Sequence, residues 1–138
     1  NIGQKVHVLN ARTERELSIA FMTIVEQQAG ALLVAADPFF DRSRDQITAL
    51  AARFKVPAIY ESREFVVAGG LISYGASVAT AYHGAGIYIG KILKGAKPAD
   101  LPVQLPTKFE LLVNLKAAKA IGFEITPTLL TRTDEIIE

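Results

Sequence analysis

Two carboxylates stand where short apolar runs give way to polar turns: Asp37, after Ala31-Leu32-Leu33-Val34-Ala35-Ala36, and Glu61, after Ala58-Ile59-Tyr60. Acidic groups at such ends can serve as general acids or bases, as phosphoacceptors, or as ligand-binding groups. A phosphoacceptor Asp37 would need further carboxylates for Mg²⁺ after the first apolar run. Asn10-Ala11-Arg12 supplies none. The chain has no Cys and only two His, His7 and His83, far apart, so thiolate chemistry is excluded and no metal site is expected. Gly84-Ala85-Gly86-Ile87-Tyr88-Ile89-Gly90 is one residue too long for a dinucleotide fingerprint and falls inside a helical pattern, where its glycines read as helix-packing contacts. Gly70-Leu71-Ile72-Ser73-Tyr74-Gly75 misses the spacing of a nucleophile elbow. No catalytic residue and no cofactor is expected.

What remains is a set of groups suited to binding. Pro38 rigidifies the exit that carries Asp37, and Phe39 and Phe40 follow before the helical period begins. Two adjacent aromatics cannot both face one core, so at least one is available to a cleft. Tyr60, Glu61 and Ser62 close the next apolar run. Gly69-Gly70 permits positive φ or close backbone approach, and its amides could cradle a carboxylate. The bland alternatives are a helix-capping Asp37, a solvated turn at Glu61-Ser62, and a simple Gly69-Gly70 turn.

These groups must be positioned by elements. Val6 to Leu9 reads as a short strand. Thr13 to Glu16 reads as a capping box, followed by a helix with Leu17, Ala20, Phe21 and Ile24 on one stripe, ended by Gly30. Residues 31–36 form a strand apolar on both faces, as in a covered parallel sheet. Asp41 or Ser43 caps a helix carrying Ile47, Leu50, Ala51 and Phe54. Ala58 to Tyr60 is a strand, Arg63 to Ala68 a short helix, and Leu71 to Tyr74 a strand ended by Gly75. Ser77 caps a long helix with Val78, Ala81, Tyr82, Ala85, Ile89 and Ile92 on one face. Pro98, Pro102 and Pro106 keep Lys97 to Lys108 extended. Phe109 to Val113 is a strand, and Asn114 caps a helix that Gly122 ends.

Alternating strands and helices predict an α/β fold with a doubly wound, mainly parallel sheet flanked by helices on both faces. Ligands of such sheets bind outside the carboxyl ends of the strands. With 138 residues, 50% hydrophobic and 21% charged, the chain is one globular domain. Fifteen basic against 14 acidic residues leave a net charge of +1, which points to no nucleic-acid partner. The longest apolar run, Ala29 to Ala36, falls far short of the ~20 residues that span a bilayer.

The ordered set Asp37-Pro38-Phe39-Phe40, Leu50-Ala51-Ala52-Arg53, Pro57-Ala58-Ile59-Tyr60, Arg63-Glu64-Phe65-Val66 through Gly69-Gly70-Leu71 and Ser73-Tyr74-Gly75 resembles one bacterial family. Ile92 to Val103, Phe109-Glu110-Leu111 and Asn114-Leu115-Lys116 extend the likeness over essentially the whole chain. It is similar to the ABC-transporter substrate-binding proteins of the tryptophan/tyrosine uptake type, with the type I periplasmic-binding fold. The resemblance implies the carboxy-terminal lobe of a longer two-lobed protein, with residues 97–138 as hinge-return and terminal segment. It implies a periplasmic solute receptor, not an enzyme, that takes a small organic ligand (amino-acid-like or aromatic) against an amino-terminal lobe and delivers it to an ABC permease. Carried over by position, Asp37, Phe39, Phe40, Tyr60, Glu61, Ser62, Gly69 and Gly70 face the ligand. An isolated lobe would expose surface and could form homo-oligomers. Two other functions fit the same architecture: the ligand-sensing effector lobe of a regulator, and an α/β enzyme using Asp37 or Glu61.

Overall fold

A computed structural model describes residue 3 and residues 5–138. The elements run α1 (Glu14–Glu26), β1 (Leu32–Val34), α2 (Pro38–Arg42), α3 (Arg44–Phe54), β2 (Ala58–Tyr60), α4 (Arg63–Val67), β3 (Ile72–Ala76), α5 (Val78–Leu93), a 3-10 turn (Pro98–Asp100), β4 (Phe109–Asn114), α6 (Leu115–Ile121), α7 (Pro127–Leu130) and β5 (Glu135–Ile137). The strands form one sheet in the order β1-β2-β3-β4-β5. β1, β2 and β3 are parallel, β4 is antiparallel to β3, and β5 is parallel to β4. The expected mainly parallel α/β architecture is therefore present.

Local chemistry sets most helix starts. The Thr13 hydroxyl accepts from Glu16 N at 3.2 Å, and the Glu16 carboxylate reaches back to Arg12 N at 2.6 Å. This capping box fixes α1 so that Leu17, Phe21 and Ile24 are buried together. Asn114 caps α6 through Ala117 N at 2.8 Å, and Gly122, at φ 73°, ends it in the left-handed conformation. One core joins Leu17, Phe21 and Ile24 to Ile47 and Ala51 of α3, Phe65 of α4, and Ala58 and Tyr60 of β2. α1, α3 and α4 thus share one face of the sheet. Each fully buried side chain of this size contributes about 1.5–3 kcal/mol.

The opposite face departs from expectation. Strand register puts Leu33, Ile59, Ile72, Tyr74 and Phe109 together on it. Leu33 is 73% exposed, and Tyr74 and Phe109 are exposed as well. The run 31–36 was expected to be covered on both sides; β1 is instead a three-residue strand with one bare side. Val6 to Leu9 takes no regular secondary structure and joins none of the five strands, and Val6 and Val8 are exposed. A strand forms only where a neighbour takes up its backbone groups, and this segment has none among the described residues. α1 ends before Gly30, with Gln28 rather than the glycine in the left-handed region.

The largest departure is α5. Its expected apolar stripe is present in sequence but buries no residue. Tyr82 is 76% exposed and Leu93 82%. A Cβ on Gly86 or Gly90 would meet nothing within 4 Å beyond its own helix, and one on Gly84 would meet only the Gln104 side chain, so no second helix packs on them among the described residues. The reason lies in topology. β3 and β4 run antiparallel side by side, and Ser77 N donates to Lys108 O at 3.2 Å where the pair ends. Everything from Ser77 to Lys108 leaves the sheet and returns to the same point. Within this excursion Tyr88 donates its hydroxyl hydrogen to the Pro102 carbonyl, tying α5 to the proline-rich return.

Candidate functional site at the carboxyl edge of the sheet

Register decides which turns share an edge. Val34 lies beside Tyr60, and Tyr60 beside Ser73, in parallel strands. The chain therefore leaves β1, β2 and β3 at one edge. This brings the turn at Asp37, the turn at Glu61 and Ser62, and the departing Gly75-Ala76-Ser77 onto one rim.

Each expected residue has a definite place there or elsewhere. Asp37 Oδ1 accepts from Phe39 N at 2.7 Å and caps α2, with Pro38 at the first helical position. Phe39 and Phe40 lie in that short helix rather than in a loop. Both are half-buried, with ring centroids 5.7 Å apart and planes tilted by 56°. Each packs partly on the core and keeps part of its ring at the rim. Glu61 is exposed and makes no ion pair among the described residues. Ser62 caps α4, accepting from Glu64 N at 3.3 Å and donating to the Glu64 carboxylate. That hydrogen bond holds the Glu64 carboxyl below the usual carboxylate range.

Tyr60, Gly69 and Gly70 do not face this rim. Tyr60 is only 2% exposed and stacks on Phe65 at 4.6 Å, with planes 11° apart. Burial pushes its hydroxyl pKa up, and the hydroxyl has no hydrogen-bond partner among the described residues. Gly69 and Gly70 precede β3, so they sit at the opposite, amino-terminal edge. A Cβ on Gly70 would fall 2.6 Å from the Tyr60 ring and 2.7 Å from Phe65 O, so the glycine serves core packing. There, with Ala51, Ala117 and Ile121, these three residues line an apolar cavity of about 230 Å³ between α3 and α6.

Further residues that were not among the expected site residues complete the rim. β3 runs through Gly75 to Ala76, so Gly75 belongs to the strand instead of ending it. Gly75 pairs with Glu110 of β4, and its α-carbon lies against Glu61. Two residues earlier on the same face, the Ser73 hydroxyl is buried without a partner among the described residues. Arg63 donates from Nη2 to both Glu135 oxygens, at 3.2 and 3.1 Å, and its Nη1 lies 3.8 Å from Glu110. Lys108 Nζ approaches the other Glu110 oxygen at 3.2 Å. The available signal was Glu110 itself, a carboxylate between Phe109 and the apolar run Leu111-Leu112-Val113. Among the described residues no three His, Asp or Glu side chains group as a metal site, and no base lies within hydrogen-bond reach of Ser73. The arrangement is suited to binding: two carboxylates, a hydroxyl and two partly open rings.

Comparison with known proteins places this geometry. Three solved structures share the fold. A conserved domain protein from Vibrio cholerae O1 biovar El Tor is 22% identical, with 91% of this chain and 42% of that one covered and a TM-score of 0.82. An ABC domain in complex with L-Trp from Streptococcus pneumoniae is 24% identical, with 98% and 46% covered and a TM-score of 0.85. A ligand-free, open substrate-binding protein with adhesive properties from Clostridium difficile is 23% identical, with 92% and 42% covered and a TM-score of 0.64. The chain spans less than half the length of each of these. No curated protein sequence matches it. The family model described as ABC transporter substrate binding protein matches residues 1–137. The chain, with its rim of turns beside a departing strand pair, belongs to the ABC transporter substrate-binding protein family.

Proposed function

We propose that this chain is one lobe of a periplasmic solute receptor, and that its carboxyl-edge rim closes on a small organic ligand against a second, amino-terminal lobe. The receptor then presents the ligand to an ABC permease. The observation that carries this reading is the rim itself. Asp37, Phe39, Phe40, Glu61 and Ser62 converge at one edge, beside the two strands that leave the lobe and return to it. One strand that leaves the lobe beside this edge and an antiparallel neighbour that returns there are what a hinge between two lobes requires. The uncovered apolar surface of α5 supports a second body seated on the excursion. Half-buried Phe39 and Phe40 suit an apolar or aromatic ligand body, and the L-Trp held by the similar Streptococcus pneumoniae structure supports that class. The family match favours a receptor over a regulator's effector lobe or an enzyme.

The mechanism is a population shift. Ligand stabilises the closed arrangement of the lobes only by binding it more tightly than the open one. A thermal-shift screen of solutes on the full-length protein tests the proposal. A solute at 100 times its Kd stabilises by about 2.7 kcal/mol, a shift of several degrees. Absence of any stabilising solute from a broad panel of amino acids, amines and aromatic acids refutes it.

A further inference from the structure

We propose that the apolar cavity between α3 and α6 is a second binding site, which takes an uncharged organic molecule the size of one substituted ring and pairs its single hydroxyl or carbonyl oxygen with the Tyr60 hydroxyl. The cavity lies at the amino-terminal edge of the sheet, away from the rim, and its occupancy is independent of any ligand there. Half of the residues around it are Ala or Gly, so the two helices cannot fill the space between them with their own side chains. Its volume of about 230 Å³ exceeds the roughly 150 Å³ in which a dry apolar cavity holds benzene. All of its walls come from this chain, so binding there needs no second lobe.

The polar groups of the wall decide the chemistry. Thr48 spends its hydroxyl hydrogen on the backbone carbonyls of Arg44 and Ala68, at 2.9 and 3.2 Å. Asn114 spends both ends of its amide, Oδ1 accepting from Ala117 N and Nδ2 donating to Val66 O. Tyr60 is left, 2% exposed and with a hydroxyl that has no partner among the described residues. Gly70, itself in the wall, lies against Cε2 of that ring, the carbon next to the one that bears the hydroxyl, so the hydroxyl end of the ring is the end at the cavity. Burial keeps this hydroxyl protonated, and it is free to donate. A buried hydroxyl without a partner is costly, and an oxygen brought by a ligand removes that cost. Charge on the ligand is excluded. Among the described residues no carboxylate lines the cavity, and its one cation, Lys116, is exposed at the mouth. An ion drawn inside would lose its water and gain no partner.

Nuclear magnetic resonance titration of the full-length protein with phenol, toluene and benzoate tests the site. Phenol shifts the signals of Ala51, Ala117 and Ile121 saturably, and benzoate does not. Tyr60→Phe weakens phenol at least fivefold and leaves toluene no weaker; it removes only an unpaired hydroxyl, so the variant folds. Ala52→Phe and Ala120→Phe set a ring at the mouth from either helix, and each weakens phenol tenfold or more. Both alanines are exposed, so these variants fold as well. Phenol that shifts none of these signals, or whose shifts survive both ring substitutions, overturns the proposal. So does an unchanged phenol affinity in Tyr60→Phe, or benzoate that binds there as tightly as phenol. Every one of these outcomes leaves the rim and its receptor reading standing.

Discussion

Replacing Gly75 with alanine drives a methyl group into the backbone of the neighbouring strand exit. The added Cβ would stand 2.9 Å from the Glu61 carbonyl carbon and 3.1 Å from its Cγ, with the carbonyl oxygen nearer than either. Real Cβ atoms essentially never come within 3.0 Å of such atoms. A side chain could rotate away, but a carbonyl held at the end of β2 cannot. Relief requires the two strand ends to part by something on the order of 1 Å, enough to forfeit much of the local contact energy. Overpacking of this kind costs roughly 1–3 kcal/mol. A weakened ladder hydrogen bond adds about 1 kcal/mol. For a domain of this size the sum corresponds to a fall in Tm of about 10 °C. Differential scanning calorimetry of Gly75→Ala beside Gly30→Ala isolates the effect. Gly30 has open space and an ordinary φ, so its alanine variant should match or slightly exceed the parent, by up to about 1 kcal/mol. A Gly75→Ala protein within about 0.5 kcal/mol of the parent would refute the close approach of Glu61 to Gly75 at the rim.

Asn114→Ala should destabilise by about 2 kcal/mol, since it removes the α6 cap and a buried hydrogen bond from Nδ2 to Val66 O at 3.3 Å; urea unfolding gives the value, and a loss under 0.5 kcal/mol contradicts the cap. The Glu64 carboxyl has its pKa lowered by Ser62, so its stabilisation is complete above the unfolded value near 4.5 and is lost as pH falls through the lower folded value. Glu64→Gln should therefore flatten the acid limb of the stability profile, modestly because the group is exposed, and identical profiles contradict the assignment. Expressed alone, the 138-residue chain should associate through α5 and the bare sheet face, giving a light-scattering mass above 14.9 kDa that falls on dilution. A strict monomer at high micromolar concentration would mean those surfaces need no cover.

Much of this fold could be read before any coordinates, because its signals are local. Thr13, Ser77 and Asn114 each announce a helix start through a hydroxyl or amide at the right offset, and each makes its bond. Signals that depend on partners failed. The stripe on α5 has the period of a buried helix, yet periodicity records that a face needs cover, not where the cover comes from. Gln28 and Lys55 adopt left-handed conformations without glycine, so those helix ends carried no mark. β5 was not anticipated, because three residues in a charged tail have no pattern until β4 stands beside them. The rim divides the same way. Asp37 and Glu61 follow from strand ends, and Ser73 shares a face with Gly75 by alternation along β3, whereas Glu110 reaches the site through register with Gly75, which no single stretch of sequence encodes. Gly69-Gly70 looked like a ligand approach because a glycine pair marks tight backbone, and the tightness serves Tyr60 at the far edge.

The junction where Ser77 meets Lys108 makes the long arm separable from the fold it interrupts. With Ala76 opposite Phe109, β3 and β4 already form an antiparallel ladder that a two-residue turn could close. Excising residues 78–107 in favour of such a turn would shorten the loop by about four halvings, lowering its closure cost by roughly 2 kcal/mol. It would also remove the apolar helix that buries nothing here. The trimmed chain would be a compact sheet-and-helix unit with its rim intact, and a platform on which different arms could be grafted.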